Sequence, residues 1–390
     1  MSITRHFILA AGGTGGHMMP ASALADELVA RGHSVALITD ARGAKIPGLC
    51  ADMDVHVIPA GRITKNPMSW PGGARAILSG RRQSRALYQD FAPCVVVGFG
   101  GYPAYPALMA AHSLGIPTAV HEQNAVLGRV NRQVAGSVAA IATAYPDIQR
   151  LPDHARTKVH QVGNPVRAEV LALRDLPFPA LDGEGIFRVL VTGGSQGANI
   201  LSDVVPEGLS MLPPHFRSRL QVTQQCRAED IDRVRAAYIG LGIPSDLATY
   251  IPDMPEKLSW AHLVIARAGA STIAELTCAG RPAILIPLPS AMDNHQTHNV
   301  REMVAAGGAR AIHQADFTPV ELAKQMQKLG LEPAALANAA ARARSVGRPH
   351  ATRDLADLVE SLGRTPVMDG IEVRKPVRAR TTGAFAGARA

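Results

Sequence analysis

The sequence predicts an α/β protein made of two doubly wound, parallel-sheet domains that face a common cleft. At 390 residues the chain is too long for one ordinary hydrophobic core and suits two domains. Short apolar runs alternate with helical segments, which is typical of parallel sheets. This order begins near residue 7 and begins again near residue 187, so we expect the same architecture twice.

The first domain is expected over residues 1–163. The apolar run Phe7–Ala11 is a predicted buried strand, and it leads through a glycine loop into a helix that begins near His17 and ends before Gly32. The further strands predicted in this half are Ser34–Thr39, Cys94–Gly98, Pro117–Val120 and Val138–Ala142.

The second domain is expected over residues 186–362. Strand Phe187–Thr192 is followed by a second glycine loop and a helix to about Met211, and the last helix is expected to pack back on the first domain. The proline-rich residues 164–185 are a predicted linker, and residues 363–390 a predicted basic, disordered tail. The remaining strands predicted here are Leu220–Thr223, Ala248–Ile251, Leu263–Ala266 and Pro282–Ile286.

The composition excludes several classes of protein. Aromatic residues make up only 4% of the chain, which argues against binding of single-stranded nucleic acid by stacking, so no nucleic-acid partner is expected. The four cysteines form no C-x-x-C pair, which argues against a zinc site or a disulfide framework and favours a reducing compartment. The uncharged residues 92–111 have the length of a membrane span, but their glycines and prolines favour a buried strand, loop and helix.

Two glycine loops occupy equivalent places in the two halves. Residues 12–17 read GGTGGH and residues 193–198 read GGSQGA, each between a predicted strand and a predicted helix. Glycine lets the backbone approach a ligand, and the free N–H groups at a helix start favour an anion. A tight turn without a ligand is the alternative for either loop alone. Two loops that face one cleft predict a bound diphosphate, while the spacing in the first fails the dehydrogenase pattern.

Three polar segments add candidate binding residues. Residues 267–275, RAGASTIAE, place two hydroxyl side chains at a helix start and a carboxylate one turn later, which suits a phosphate and a ribose, although an ordinary helix cap has the same pattern. Residues 293–299, DNHQTHN, offer amides and imidazoles for sugar hydroxyls, or form a solvated loop. Residues 121–124, HEQN, follow a predicted strand at the edge where parallel sheets bind ligands.

Taken together, these segments resemble the MurG family of N-acetylglucosaminyltransferases of peptidoglycan synthesis. The segments that carry the resemblance are GGTGGH, GFGGYP, HEQN, GNPVR, GGSQGA, RAGASTIAE and, more weakly, DNHQ, and they span residues 5 to 362. The resemblance implies the GT-B fold of two Rossmann-like domains, without a cofactor or a bound metal. It implies transfer of N-acetylglucosamine from UDP-GlcNAc to the muramoyl 4-hydroxyl of lipid I, which gives lipid II with inversion.

The resemblance also implies a set of donor contacts. Ile251 would bind uracil through its backbone, and Gln296 would bind sugar hydroxyls. Two departures from the family pattern are the prolines at 103 and 106, after GFGGY, and His295 in place of a second Gln. The residues expected to contact UDP-GlcNAc are Thr14, Gly15, Gly16, Asn124, Arg167, Ser195, Ile251, Ala270, Ser271, Thr272, Ile273, Ala274, Glu275 and Gln296.

Inversion requires a base that takes the proton of the acceptor hydroxyl. His17 is the first candidate because histidine titrates near neutrality, and Glu122 is the second. A histidine at a helix start is otherwise a cap. The alternative functions are a UDP-GlcNAc 2-epimerase, a glycosyltransferase of the same fold with a soluble acceptor, or a nucleotide-binding module without chemistry.

A basic, apolar segment predicts contact with a membrane. Residues 62–85 hold six cations and no carboxylate, within a first half whose net charge is +6. A solvated helix whose apolar face packs on its own domain is the alternative. We expect the segment to bind anionic lipids at the cytoplasmic face of the inner membrane, as a peripheral contact. The residues expected at this contact are Trp70, Ile77, Leu78, Arg81, Arg82 and Arg85.

Overall fold

A computed structural model describes residues 4–46, 53–61, 70–182, 184–194, 197–330 and 333–363. Two separate sheets are present, one of seven strands and one of six, and every strand pairing within them is parallel. This confirms the predicted fold class of two doubly wound α/β domains. The tail, residues 364–390, lies outside the described residues.

The first sheet has the strand order β3-β2-β1-β4-β5-β6-β7. Successive side chains of a strand point to opposite faces, and both faces of this sheet are buried. Phe7 and Leu9 therefore enter one core, and Ile8 enters the other. The strands are β1 (His6–Ala11), β2 (Ser34–Thr39), β3 (Asp54–Val57), β4 (Val95–Gly100), β5 (Thr118–Glu122), β6 (Ala140–Thr143) and β7 (Val159–Gln161).

Helices cover both faces of the first sheet. Helix α1 buries Met18, Leu24 and Leu28 on one face, and helix α3 buries Ala107 and Leu108 on the other. The helices of this half are α1 (Gly15–Ala30), α2 (Trp70–Phe91), α3 (Ala104–Ser113) and α4 (Arg129–Val134).

The second sheet repeats this arrangement with the order β10-β9-β8-β11-β12-β13. Its strands are β8 (Phe187–Thr192), β9 (Leu220–Gln225), β10 (Ser245–Ala248), β11 (Leu263–Arg267), β12 (Ala283–Ile286) and β13 (Ala309–Ala311). Its helices are α5 (Ala168–Leu171), α6 (Asn199–Ser210), α7 (Pro214–Arg217), α8 (Ile231–Leu241), α9 (Met254–Trp260), α10 (Ala270–Ala279), α11 (His295–Asn299), α12 (Arg301–Ala305), α13 (Pro319–Gly330), α14 (Pro333–Ser345) and α15 (Ala351–Leu362).

Two parts of the strand prediction were wrong. The strand predicted at Ala248–Ile251 is β10, which ends at Ala248, so Ile251 lies in the loop that follows. Strands β3, β7 and β13 had no counterpart in the prediction. They are three to four residues long and mostly exposed, so they lack the apolar run on which a buried strand is recognised.

The chain passes between the two domains twice. Residues 164–182 leave the first sheet and pack on the second domain, where Val166, Val170 and Leu173 join its core. Helix α15 returns to the first domain, and its Leu355 packs in the core beneath α1. Arg31 on α1 donates a hydrogen bond of 2.8 Å to Glu360.

Candidate active site

The candidate site lies where the strand order of each sheet reverses. In a doubly wound sheet the loops that leave the two central strands diverge and leave a crevice at their carboxyl ends. The reversal falls between β1 and β4 in the first sheet and between β8 and β11 in the second. The two glycine loops, GFGGYP and RAGAS all leave these strands. Helices α1 and α10 approach each other with Cα atoms within 8 Å, so the two crevices face one cleft.

The first glycine loop is held by a carboxylate from the next strand. Gly13 has a φ of +84°, a conformation that glycine adopts without strain. Oδ1 of Asp40 accepts hydrogen bonds from the N–H groups of Gly13 (3.2 Å), Arg42 (3.2 Å) and Gly43 (2.8 Å). Burial raises the pKa of Asp40, but these N–H groups and the Arg42 guanidinium outweigh burial and lower that pKa. Asp40 thus shapes the loop and keeps its charge.

The loop after β4 packs directly on the first glycine loop. Gly101 has a φ of +79°, and a Cβ there would lie 2.6 Å from the carbonyl oxygen of Gly12. Gly100 has a φ of +93°, and a Cβ there would lie 3.0 Å from the ring of His17. Pro103, one of the departures from the family pattern, lies against Gly12. The glycines of GFGGYP therefore make room for the loop and for His17.

Helix α1 opens toward the cleft. Thr14 is its N-cap residue and, like Gly16, is exposed, while Gly15 is half-buried. The first N–H groups of a helix have no partner within the helix, so those of Gly15 and Gly16 are available to an anionic ligand.

His17 is the first side chain on this helix with acid–base chemistry. Its Nδ1 lies 3.0 Å from Oε1 of Gln123. Among the described residues, Nε2 of His17 has no hydrogen-bond partner, which leaves that nitrogen for a ligand. His17 therefore presents to the cleft an unpaired ring nitrogen, the group that a base there would use.

The geometry argues against the prediction that Glu122 is an alternative base. The residue is 2% exposed. Its Oε1 accepts from N–H and Nδ2 of Asn124, and its Oε2 accepts from N–H of Gly128 (2.7 Å) and Nδ2 of Asn131 (2.9 Å). A carboxylate has about four lone-pair sites, and these donors fill them. Glu122 fixes the loop that carries Asn124, and its proton-accepting sites face protein.

Asn124 is held by both domains. Its Nδ2 donates to Glu122, and its Oδ1 accepts from Nδ2 of Asn299 on α11 at 3.1 Å. Asn299 is fully buried, and its Oδ1 accepts from N–H of Ala125 at 2.9 Å. The sequence interpretation assigned no role to Asn299, although it lies within DNHQTHN. This residue joins the sugar-loop segment to HEQN across the cleft.

The start of helix α10 carries the predicted phosphate site. Ala270 opens the helix, with Gly269 as its N-cap residue. Oγ of Ser271 is buried and has no hydrogen-bond partner among the described residues. Thr272 and Ala274 are half-buried, whereas Ile273 packs in the core. The N–H of Ile273 donates to the carbonyl oxygen of Gly269 at 3.0 Å, so it is the hydroxyl of Ser271 that lacks a protein partner among the described residues.

One turn along α10, Glu275 pairs with Arg167 from the linker. Nε and Nη2 of Arg167 donate to Oε1 of Glu275 at 3.1 and 2.8 Å. Within the described part of the chain, Oε2 accepts no hydrogen bond, so it is available to ribose hydroxyls. Burial raises the pKa of Glu275, and the Arg167 guanidinium opposes that rise.

The remaining predicted donor residues lie around this helix. Ile251 is 5% exposed and follows β10. Oε1 of Gln296 accepts from N–H of Leu288 at 2.9 Å, which fixes the proline-rich loop and leaves the amide nitrogen for a sugar hydroxyl. Ser195 lies outside the described residues.

Ion pairs join the DNHQ loop to the first domain. Asp293 accepts from Arg132 and from Arg150, each at 2.8 Å. Asp293, Asn294 and Arg150 all have a φ between +55° and +61°, a conformation that costs a residue with a side chain about 1–3 kcal/mol. Such strain persists where neighbouring contacts determine the conformation, as they do at this junction.

Helix α2 carries the predicted membrane residues. It packs on the domain through Gly73, Gly80, Ser84 and Tyr88, and Leu78 is 64% exposed. Of the other predicted contacts, Trp70, Arg82 and Arg85 are exposed, while Ile77 and Arg81 are half-buried. The apolar side chains predicted to contact the membrane therefore do not form the face of α2 that packs on the first domain. Residues 62–69 lie outside the described residues.

Two kinds of feature are absent from the described residues. No helix there has the length and apolar character needed to cross a bilayer. No group of three or more His, Cys, Asp or Glu side chains there is arranged to hold a metal ion.

Two facing Rossmann-like domains with glycine loops at both switch points define a GT-B glycosyltransferase architecture. The family models agree. Residues 7–143 match the glycosyltransferase family 28 N-terminal domain, and residues 188–359 match the family 28 C-terminal domain. The chain belongs to glycosyltransferase family 28.

Relatives within the family carry one enzymatic name, UDP-N-acetylglucosamine--N-acetylmuramyl-(pentapeptide) pyrophosphoryl-undecaprenol N-acetylglucosamine transferase. The protein of Erythrobacter litoralis is 63% identical over 95% of this chain and 93% of its own length. The protein of Zymomonas mobilis is 59% identical over 99% of this chain and 100% of its own length.

Solved structures show the same fold. The MurG of Acinetobacter baumannii superposes with a TM-score of 0.73 at 29% identity, over 92% of this chain and 99% of that one. A UDP-GlcNAc 2-epimerase of Neisseria meningitidis superposes with a TM-score of 0.58 at 13% identity, over 91% of this chain and 100% of that one. Because an epimerase shares the architecture, the fold alone does not separate the two activities.

Proposed function

We propose that this chain transfers N-acetylglucosamine from UDP-GlcNAc to the muramoyl 4-hydroxyl of lipid I, undecaprenyl-diphospho-N-acetylmuramoyl-pentapeptide, and gives lipid II. The observation that carries the proposal is the identity of 58–63%, over at least 95% of this chain, with four relatives that bear that enzymatic name. The cleft supports it, because each domain contributes groups suited to one of the two substrates.

The donor would bind mainly on the second domain. The uracil would lie at Ile251 and the ribose at Glu275, which keeps one carboxylate oxygen accessible. The diphosphate would lie at the start of α10, where the hydroxyl of Ser271 has no partner among the described residues and the first N–H groups of the helix have none within the helix. The sugar would reach Gln296 and Asn124, which close on it from the two domains.

The acceptor would be activated on the first domain. His17 Nε2 takes the proton of the 4-hydroxyl while the hydroxyl oxygen forms a bond to C1 of the donor sugar from the face opposite UDP. The bond from C1 to the β-phosphate oxygen breaks, its electron pair leaves with UDP, and the configuration at C1 is inverted. Backbone N–H groups at the starts of α1 and α10 stabilise the negative charge that develops on the diphosphate.

The membrane contact would be made by helix α2. Trp70 and Leu78 are exposed apolar side chains on the same helix as four arginines. Apolar anchors beside cations favour insertion into an anionic surface, and each cation contributes about 1 kcal/mol there. This contact would hold the protein at the cytoplasmic face of the inner membrane, where it meets a lipid-linked acceptor.

Transfer of radiolabel tests the proposal. The full chain is incubated with UDP-GlcNAc labelled in the sugar, with and without lipid I, and the lipid phase is counted. We expect label in the lipid phase only when lipid I is present. Label that stays in the aqueous phase would contradict the proposal, and label recovered as UDP-N-acetylmannosamine would identify an epimerase.

A further inference from the structure

A row of hydrogen bonds lies beneath His17 and ends at a backbone carbonyl. His17 Nδ1 is 3.0 Å from Oε1 of Gln123, and Nε2 of Gln123 is 3.0 Å from Nδ1 of His121. Nε2 of His121 is 2.9 Å from the carbonyl oxygen of Gly163. These residues come from α1, from the end of β5 and from the crossing between the domains.

The direction of each hydrogen bond follows from the last one. A carbonyl oxygen only accepts, so Nε2 of His121 carries a hydrogen and donates it to Gly163. His121 is fully buried, and burial lowers its pKa to about 4, so the ring is neutral at pH 7 and carries one hydrogen. Its Nδ1 is therefore an acceptor, and the group that faces it must be the NH2 of Gln123.

The orientation of the Gln123 amide then determines the state of His17. Nε2 of Gln123 also donates to the backbone oxygen of His121 at 3.1 Å, so the NH2 group faces two acceptors. Oε1 must therefore face His17, and an oxygen only accepts. Nδ1 of His17 carries the hydrogen, and Nε2, the nitrogen without a partner among the described residues, carries the lone pair.

We propose that Gln123, oriented by His121, is a positioning residue that holds His17 in the Nδ1–H tautomer and so keeps a basic nitrogen at the cleft. The role of His17 as base rests on the function proposed above, whereas its tautomer does not. In the opposite tautomer Nε2 would carry hydrogen, and His17 could not take a proton from the acceptor.

An amide suits this position in both states of the base. Oε1 of Gln123 accepts from Nδ1–H before proton transfer and from the same group of the imidazolium afterwards. Gln123, just past the end of β5, contacts both His121 and His17, whereas the intervening Glu122 turns to Gly128 and Asn131. The carboxylate of HEQN is thus kept off His17, and the neutral amide faces it.

Two substitutions of the same residue separate this role from a structural one. Gln123→Met removes both hydrogen-bonding groups at similar length, whereas Gln123→Glu keeps an acceptor for Nδ1–H of His17. The probe is the 15N chemical shift of the two ring nitrogens of His17, measured by NMR on the full chain without substrates. Thermal unfolding and calorimetry with UDP verify that each variant is folded and binds nucleotide.

When the ring of His17 is neutral, we expect wild type and Gln123→Glu to show a protonated Nδ1 and an unprotonated Nε2; Gln123→Glu needs a higher pH to reach that state, because a carboxylate beside the ring favours the imidazolium. Gln123→Met should show a mixture of tautomers, with a kcat lowered at least tenfold and an unchanged affinity for UDP. The wrong tautomer lowers turnover by up to about 10⁴-fold in the serine protease triad. The kcat of Gln123→Met should therefore fall by at least tenfold and by no more than about 10⁴-fold.

The proposal is overturned if His17 in the wild type is protonated on Nε2, or if Gln123→Met leaves the tautomer unchanged. It is also overturned if the tautomer becomes mixed while kcat stays at the wild-type value. A wild type with the expected tautomer that transfers no label to lipid I would instead refute the proposed function, and the two failures are thus distinguishable.

Discussion

The residues expected to act on the two sides of the cleft differ in whether their side-chain oxygens are already paired within the protein. On the first domain, Asp40 accepts from the glycine loop, Glu122 has its lone pairs filled, and His17 is held by Gln123. On the second domain, Ser271 has a buried hydroxyl without a partner among the described residues, and Glu275 has a carboxylate oxygen that accepts no hydrogen bond there.

This difference indicates a division of labour. A catalytic base must have the correct geometry and tautomer before substrate arrives, so its neighbours are protein groups. A binding site gains affinity from polar groups that only the ligand satisfies, because those groups are left unpaired without it. Changes on the first side should therefore lower turnover, and changes on the second should lower donor affinity.

The largest effect is expected from His17→Ala. Loss of a general base lowers turnover by about 10²–10⁴-fold, while UDP affinity, measured by calorimetry, should stay near the wild-type value. His160→Ala is the matched control, because His160 is an exposed histidine of the first domain, on β7. An unchanged kcat with a raised Michaelis constant for the donor would mean that His17 binds the donor and is not the base. The proposed difference between the two sides of the cleft would then be wrong.

The next effect concerns the outer surface of the first domain. Replacing Arg81, Arg82 and Arg85 together by Glu removes three cations that contribute about 1 kcal/mol each, so binding to anionic vesicles should fall by more than about 100-fold. Cosedimentation at low salt measures it. UDP affinity should not change.

The control for that variant replaces the exposed arginines Arg156, Arg235 and Arg353 by Glu and has the same net charge. If both triple variants lose vesicle binding equally, net charge alone accounts for it. If neither does, the docking surface lies outside α2.

A smaller loss is expected on the donor side from Glu275→Ala. Removing a charged acceptor from the ribose should weaken UDP binding by about 1.5–3 kcal/mol, measured by calorimetry. Glu275→Gln keeps a neutral acceptor and should lose less. An unchanged affinity in a folded Glu275→Ala protein would exclude this carboxylate from the donor site.

The smallest effect is a loss of stability in acid that traces to the hydrogen-bonded row beneath His17. His121 has a folded-state pKa of about 4 against an ordinary value of 6.5, so the unfolded chain binds more protons between those values. Stability should fall as pH drops through this window, by about 1.6 kcal/mol from His121 between pH 6.5 and 5. His262, buried in the second domain, acts in the same direction.

Urea unfolding of wild type and His121→Phe at both pH values measures the contribution of His121. The decrease in free energy of unfolding from pH 6.5 to 5 should be about 1.6 kcal/mol smaller in the variant. Equal decreases would mean that His121 is not buried in its neutral form.

Much of the fold followed from apolar runs and glycine positions. Residues 7–11 of β1, for example, are buried on both faces of the sheet and form a continuous apolar segment, and the glycine loops lie where the strand order reverses. The exposed β3 and the misplaced β10 carry no such run, because their side chains contribute little to either core.

The candidate site was harder to predict because side-chain partners come from distant segments. The motif HEQN placed a glutamate and a histidine at the cleft but did not reveal that Asn124, Gly128 and Asn131 saturate Glu122. Gln123 gained a role only when His17, 106 positions away, was found beside it. Asn299 likewise acts across the domain junction, 175 positions from Asn124.

The division of labour is tested most directly by a single-turnover rate at saturating UDP-GlcNAc, with excess enzyme and labelled lipid I. An interaction that serves donor binding alone is compensated by saturation, whereas a missing base is not. We expect Glu275→Ala to recover a rate near wild type and His17→Ala to remain at least about 100-fold slower. Equal rates for the two variants at saturation, fast or slow, would contradict it.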